Sequence, residues 1–160
     1  LPQADFSASF ESAIRTLAAI HTVDYNAVGL GKFGRVGDFY KRQIARMGST
    51  TRAQEIPGKI DPLPHVDALL QWYSNNLPAD RSTLVHGDFK FDNLIFHESE
   101  SRVIGVLDWE MATIGHPLSD LANMTLPYYG MEGTPPPLGG ISHLVGSEYG
   151  APIVTATCPC

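Results

Sequence analysis

Three polar residues, Asp88, Asn93 and Asp108, have side-chain types and a spacing that suit phosphoryl transfer. Asp88 and Asn93 lie five positions apart in a loop-like segment, and Asp108 follows an apolar run further on. A carboxylate can accept the proton of a hydroxyl nucleophile, and an amide oxygen and a second carboxylate can hold Mg²⁺. Phosphoryl transfer needs little else near the reacting atom. We therefore expect Asp88 to be the catalytic base and the other two residues to be metal ligands.

A predicted hairpin explains how Asn93 and Asp108 could meet. Two β-rich runs, residues 94–96 and 103–107, flank a polar turn at residues 98–101. Symmetric pairing, with Leu94 opposite Leu107, places Asn93 directly opposite Asp108 at the open end. Opposed Cα atoms in such a ladder lie about 4.5–5.5 Å apart, close enough for both side chains to share one ion. Asp88 would face the same pocket from the loop.

The neighbours of these residues have expected supporting functions. Since an ordinary aspartate has a pKa of about 3.9, Asp88 would mainly orient the hydroxyl and collect its proton late in the reaction. His86 could brace the loop, and Gly87 would relieve crowding in it. Lys90 could contact a phosphate or a substrate carboxylate, or be a solvated lysine. Glu110 could be a second acidic group near the metal.

The rest of the chain favours helices. Apolar spacing predicts a helix over residues 6–21 with Asp5 as its N-cap. Further helices are expected up to about Met47 with Asp38 as the N-cap, from Pro64 to about Asn76 and from Pro117 to about Met124. A loop over residues 48–64 and a short strand at residues 83–85 are also expected. Trp109 is interpreted as a packing residue.

Three further features have competing interpretations. Residues 29–34 spell G-x-G-x-x-G, which suggests a phosphate loop, but that motif requires a preceding strand and here follows a helix. An ordered loop near the acceptor side is the favoured interpretation. His21 is interpreted as a capping or core histidine rather than a metal ligand. Arg35, Lys41 and Arg42 could hold an anionic substrate such as a CoA ester, although a solvated helix face is favoured.

Residues 84–124 resemble the aminoglycoside phosphotransferase family, and within it the kinase-like domains joined to acyl-CoA dehydrogenases. The resemblance depends on three runs, which are residues 86–96, 102–110 and 115–121. It implies an α+β fold: the mostly helical C-terminal lobe of a protein-kinase-like fold, with a small β-hairpin carrying the catalytic loop and the N-lobe absent. It also implies Mg²⁺ and ATP, with Asp88 as base, Asn93 and Asp108 as metal ligands and Asp120 supporting the loop through backbone hydrogen bonds. Many relatives have an acidic residue where His116 stands.

Composition and length set the remaining expectations. A chain of 160 residues suits one domain or lobe, which we place at residues 1–129, followed by a Gly/Pro-rich segment, 130–160, expected to be truncated or poorly ordered. Both ends are expected to be cuts. The net charge of −6 argues against a nucleic-acid partner, and no apolar run is long enough to span a membrane. Cys158 and Cys160 are expected in a free tail of an intracellular protein, whether cytoplasmic, mitochondrial or peroxisomal.

The functional hypothesis is an ATP-dependent phosphotransferase acting on a small-molecule hydroxyl, with a hydroxyacyl thioester as the acceptor that the resemblance suggests. Its expected partners are that acceptor, a missing N-terminal nucleotide-binding lobe and a covalently linked acyl-CoA dehydrogenase domain. These 160 residues alone are expected to be inactive. The alternative is a catalytically inactive kinase-like lobe that serves as a binding or interaction module. A metal-dependent phosphoesterase would normally use more His or Asp ligands.

Overall fold

The computed structural model describes residues 6–129, which form an α+β lobe with four helices and two small antiparallel sheets. The elements in chain order are α1 (Phe6–His21), α2 (Phe39–Ala53), α3 (Val66–Asn75), β1 (Thr83–Val85), β2 (Leu94–Phe96), β3 (Val103–Val106), β4 (Thr113–Gly115) and α4 (Leu118–Thr125). The fold class expected from the sequence is confirmed. Asp5, Cys158, Cys160 and the segment 130–160 lie outside the described residues.

The hydrophobic core joins α1 to the loop that carries Asp88. Phe10, Ala13 and Leu17 recur at helical spacing and form the buried stripe of α1. They belong to one buried cluster with four residues from later elements, which are Phe89, Leu94, Met124 and Tyr128. Phe89 is fully buried and directly follows Asp88. The core therefore anchors the loop one residue away from the candidate base.

The β2–β3 hairpin is present, but the predicted register was wrong by one residue. Leu94 pairs with Val106 rather than with Leu107, and Ile95 pairs with Gly105. A register shift between Ile95 and Phe96 breaks the symmetric pairing that the sequence suggested. Such a bulge places two residues of one strand opposite one of the other.

The predicted strand at β1 pairs with β4, a strand that the sequence analysis did not identify. Val85 lies opposite Thr113, and Thr83 lies opposite Gly115. The glycine-rich loop passes close to β4, since a Cβ added at Gly34 would lie 2.5 Å from the backbone nitrogen of Ile114. This contact makes the loop an ordered part of the helical lobe.

The helices differ from the sequence-based bounds mainly at α2 and α3. α2 continues to Ala53, so residues 48–53 are helical rather than loop. Packing against α3 outweighs their weak helix propensity. The two helices approach closely at Gly48, where an added Cβ would lie 2.9 Å from the Cδ1 atom of Leu70. Asp38 precedes α2 in a left-handed conformation without a side-chain capping bond, and α3 begins at Val66 rather than Pro64. Within residues 6–129, no helix has the length and apolar character required to cross a bilayer.

Candidate functional site

Asp88 and Asn93 form one hydrogen-bonded unit. The turn Phe91–Asn93 brings the Asn93 amide back to the loop, where Nδ2 donates to the Asp88 backbone oxygen at 2.8 Å and to its Oδ2 atom at 3.1 Å. Both bonds use the nitrogen of the amide. The amide oxygen is therefore the atom with which Asn93 could hold a metal.

Lys90 forms an ion pair with the same carboxylate. Its Nζ atom lies 2.8 Å from Asp88 Oδ2, with both side chains partly exposed. The hydrogen bond from Lys90 lowers the pKa of Asp88, and further bonds from Asn123 and Asn93 act in the same direction. The pKa of Lys90 is raised in turn by its hydrogen bond to Asp88. Asp88 is thus held in its charged form, which suits orientation of a hydroxyl better than early proton removal.

His86 connects the loop to the strand end that precedes Asp108. The imidazole is fully buried, and its Nε2 atom donates to the carbonyl oxygen of Leu107 at 2.8 Å. Its Nδ1 atom accepts a hydrogen bond of 3.2 Å from the backbone nitrogen of Asp88. The ring also packs against Trp109, with 4.7 Å between ring centroids. The packing interpretation of Trp109 agrees with this contact and with the 2.9 Å bond from its indole nitrogen to the Val106 carbonyl.

Asp108 lies one residue beyond the last hairpin contact, not directly opposite Asn93 as predicted. The ladder ends at Leu107, whose backbone nitrogen donates to the Asn93 carbonyl at 2.8 Å. The backbone of Asp108 then turns into the left-handed region, with φ of 63° and ψ of 58°. Such a conformation is uncommon for residues other than glycine and concentrates at functional sites. The Asp108 side chain is exposed.

The donor set at the hairpin end fits Mg²⁺. The Asn93 amide oxygen and the Asp108 carboxylate are hard oxygen ligands, and Mg²⁺ usually binds one or two protein carboxylates together with substrate phosphates. Residues 6–129 contain no cluster of three or more His, Cys, Asp or Glu that could hold a metal unaided. Glu110 is exposed in the turn Trp109–Met111, and its predicted place near the metal stays a prediction.

Asp120 holds the main chain of the loop. It is fully buried in the first turn of α4 and accepts bonds of 2.8 Å from the backbone nitrogens of His86 and Gly87. His21 at the end of α1 donates a third bond, 3.0 Å from its Nε2 atom to Asp120 Oδ2. A buried carboxylate requires such partners. These bonds tie α1, the loop and α4 together, and His21 acts as a link rather than a cap.

Gly87 is required where the loop crosses Met111. Its φ is +88°, and a Cβ at this position would lie 2.4 Å from the Met111 carbonyl oxygen. Only glycine satisfies both conditions without strain.

An apolar cavity of about 750 Å³ adjoins the loop at Gly87. Side chains of α2, α3 and α4 line it together with β1 and β4, and they include Phe39, Tyr40, Ile44, Met47, Tyr73 and Leu118. Burial raises the pKa of the Tyr40 hydroxyl, and the negative charge of Asp120 adds to this effect. A cavity of this size and character suits a small, largely apolar ligand.

His116 is a buried residue just before α4. The imidazole is buried, its Nε2 atom donates to the Ala79 carbonyl at 3.1 Å, and its Nδ1 atom accepts from the Leu118 backbone nitrogen at 3.2 Å. Tyr40 lies over it, with 4.9 Å between ring centroids. Both ring nitrogens are occupied by backbone groups, so His116 braces the start of α4.

The basic residues near α2 are engaged in local contacts. Lys41 pairs with Asp38 at 2.7 Å, and Arg42 donates to the carbonyl oxygens of Gly37 and Arg35. These contacts agree with the favoured interpretation of a local, solvated helix face.

Asn123 was missed by the sequence analysis. Its Nδ2 atom donates to Asp88 Oδ1 at 3.0 Å. The only signal in the sequence is its position three residues after Asp120, which places both side chains on one face of a helix.

Comparison with known proteins shows relatives that are much longer than this chain. Acyl-CoA dehydrogenase family member 11 of Rattus norvegicus is 43% identical over 128 residues, which cover 79% of this chain and 16% of that protein. Acyl-CoA dehydrogenase family member 10 of Mus musculus is 43% identical over 116 residues, covering 72% of this chain and 10% of that protein. The chain thus spans a small part of these relatives.

Solved structures share the fold. A Ralstonia eutropha protein assigned to the aminoglycoside phosphotransferases superposes with a TM-score of 0.80 at 36% identity, covering 95% of this chain and 46% of that one. An aminoglycoside phosphotransferase in ternary complex with ADP and hygromycin B shares the fold at 19% identity, with a TM-score of 0.56 over 77% of this chain and 44% of that one. The sequence pattern of the phosphotransferase enzyme family matches residues 2–152. The chain therefore belongs to the phosphotransferase enzyme family.

Proposed function

We propose that this chain supplies the catalytic loop of an ATP-dependent phosphotransferase acting on the hydroxyl group of a small molecule. Asp88 would be the base, and Asn93 and Asp108 would hold Mg²⁺, which when bound supplies charge neutralisation at the transferring phosphate. The observation that carries the proposal is the pair of bonds from the Asn93 amide to Asp88. These bonds support the proposal because they join the proposed base to a proposed metal ligand and leave the amide oxygen of Asn93 available to an ion.

Residues around the loop support this assignment. His86 and Asp120 would keep the main chain in place, because both side chains are fully buried and bond to Leu107 and to the loop backbone. Lys90 would contact a phosphate or a substrate carboxylate, since its ammonium group already lies at the base and stays partly exposed. Glu110 would lie near the metal as a further acidic group.

A hydroxyacyl thioester is the acceptor that we propose. The relatives are acyl-CoA dehydrogenase family members, so an acyl thioester would be at hand if such a domain is part of the same polypeptide. The apolar cavity of about 750 Å³ beside Gly87 could receive the acyl chain. A nucleotide-binding lobe would complete the site and would be the other partner of this lobe.

Binding is tested first, by thermal shift of the full-length protein with Mg-ATP. We expect stabilisation of the wild type and none in Asp108→Ala, because a metal ligand is lost. Asp61→Ala is the matched control, since Asp61 is an exposed carboxylate in a loop away from the site. An equal shift in Asp108→Ala would overturn the metal assignment.

Turnover is tested with a hydroxyacyl-CoA acceptor, by ADP release and by the mass of the product. Asp88→Asn should keep the thermal shift and lose at least about 100-fold in kcat, as removal of a general base does. Binding without transfer would favour the alternative of an inactive kinase-like lobe that serves as an interaction module. Phosphate release that does not need an acceptor would favour a phosphoesterase.

A further inference from the structure

Helix α4 holds the catalytic loop with two side chains from one face. Asp120 and Asn123 lie three residues apart and therefore point to the same side of the helix. Asp120 accepts hydrogen bonds from the backbone of the loop, whereas Asn123 reaches the side chain of Asp88. The main chain and the carboxylate of the base are thus fixed by different residues.

The hydrogen bonds at Asp88 are distributed unevenly over its two oxygens. Oδ2 accepts from Asn93 Nδ2 at 3.1 Å and from Lys90 Nζ at 2.8 Å. Oδ1 accepts from Asn123 Nδ2 at 3.0 Å. Since each carboxylate oxygen offers about two acceptor positions, Oδ2 is fully occupied and Oδ1 keeps one position for a further donor.

We propose that Asn123 is a positioning residue for phosphoryl transfer, which fixes Oδ1 of Asp88 as the atom that receives the hydroxyl proton. The inference rests on the function proposed above. In that reaction a bond forms between the acceptor oxygen and the γ-phosphorus of ATP, and the bond from this phosphorus to the bridging oxygen breaks and releases ADP. The hydroxyl proton passes to Oδ1.

The contact matters because the last torsion of an aspartate side chain is only weakly restrained by itself. Without Asn123 the carboxylate of Asp88 would be held at Oδ2 alone, and Oδ1 could rotate away from the acceptor. The amide of Asn123 also lies 3.5 Å from the carbonyl oxygen of Phe89, whose side chain is anchored in the core. Asn123 therefore orients Asp88 from a fixed part of the lobe.

The kinetic test uses Asn123→Ala in the full-length protein. We expect kcat to fall about 10- to 100-fold, the range expected when a catalytic group is misplaced, while KM for Mg-ATP changes less than about twofold. Thr125→Ala is the matched control. Thr125 bonds the carbonyl oxygen of Leu121 within the same helix and does not contact Asp88, so its kcat should match the wild type.

A second readout is the titration of the Asp88 carboxyl carbon by NMR, with the signal assigned from its loss in Asp88→Asn. Asn123→Ala should raise the pKa of Asp88, because a donor to its charged form is lost. The isosteric Asn123→Asp should raise it further, since it places a second carboxylate beside the first. A residue that only stabilised α4 would leave this titration unchanged.

The outcomes separate the two proposals. An active transferase in which folded Asn123→Ala or Asn123→Asp keeps the wild-type kcat and Asp88 titration overturns this inference alone. A full-length protein that transfers no phosphate to any hydroxyl overturns the proposed function, and with it the reaction in which Asn123 would act. Circular dichroism of each variant shows whether it is folded. If Asn123→Ala is unfolded, the kinetics and titration of the isosteric Asn123→Asp test the inference instead.

Discussion

His86 joins the two halves of the candidate site through a hydrogen bond of 2.8 Å from its Nε2 atom to the carbonyl oxygen of Leu107. Leu107 directly precedes Asp108, and His86 lies two residues before Asp88. The bond therefore links the segment of the proposed base to that of the proposed metal ligand. The imidazole is fully buried, which shields its side of the bond from water.

We predict that His86→Ala lowers the free energy of unfolding by about 3 kcal/mol, since it removes a buried ring and leaves the Leu107 carbonyl without its donor. Urea denaturation of the wild type and the variant measures this difference. His97→Ala is the control, because His97 lies at the partly exposed end of the hairpin, and it should change stability by less than about 0.5 kcal/mol. Equal losses in the two variants would contradict the bracing function of His86.

Gly87→Ala should destabilise the protein more than Gly58→Ala. Both glycines have positive φ, +88° and +74°, so both substitutions carry the left-handed backbone penalty of roughly 1–2 kcal/mol. At Gly58 no atom lies within 4 Å of the added Cβ, whereas at Gly87 the Met111 carbonyl lies at 2.4 Å. The additional overlap should cost about 1–3 kcal/mol more. Denaturation curves of the two variants test this expectation. Similar midpoints would show that the loop at Gly87 shifts enough to accommodate the added Cβ without further cost.

Lys90→Met should raise the pKa of Asp88, because the largest cause of its lowered value is the hydrogen bond from Lys90. A lowered pKa means that the charged carboxylate persists as pH falls below the usual aspartate value of about 3.9. Its contribution to stability is present above that value and is lost as pH falls through the folded-state pKa. In Lys90→Met this loss should begin at a higher pH.

Stability measured in acid, from about pH 5 downward, checks the prediction for Lys90. Lys59→Met is a suitable control, because Lys59 lies in the exposed loop between α2 and α3. The decrease in its stability with falling pH should coincide with that of the wild type. If Lys90→Met also loses stability over the same pH range as the wild type, the ion pair has no effect on the titration of Asp88.

Asp120→Asn should cost about 3 kcal/mol, in the range seen when one partner of a buried charged network is removed. The carboxylate accepts from the His86 and Gly87 nitrogens on different oxygens. An asparagine has only one acceptor oxygen, so its NH2 group would face one of the two backbone N–H donors and leave that donor without an acceptor. Asp67→Asn, at an exposed pair with Arg52, should change stability by less than about 1 kcal/mol. Thermal unfolding monitored by circular dichroism distinguishes the two variants.

The sequence by itself determined helix α1, the hairpin and the chemical types at the site. Helical spacing over residues 6–21 specified α1, and β-rich runs on either side of a polar turn specified the hairpin. The spacing of Asp88, Asn93 and Asp108 pointed to phosphoryl transfer. The resemblance of residues 84–124 to the aminoglycoside phosphotransferases agrees with the match to the phosphotransferase enzyme family. These features depend on near neighbours in the chain, and for that reason they can be read without the fold.

The tertiary structure alone decided how these elements are joined. The observed register of the hairpin leaves Asp108 one residue past the expected pairing with Asn93, because a slip of one residue changes every pair along the ladder. The contact from Asn123 to Asp88 and the pairing of β1 with β4 join residues that are distant in sequence. Such contacts arise only once the core has packed α1 and α4 against the loop, and no local pattern encodes them.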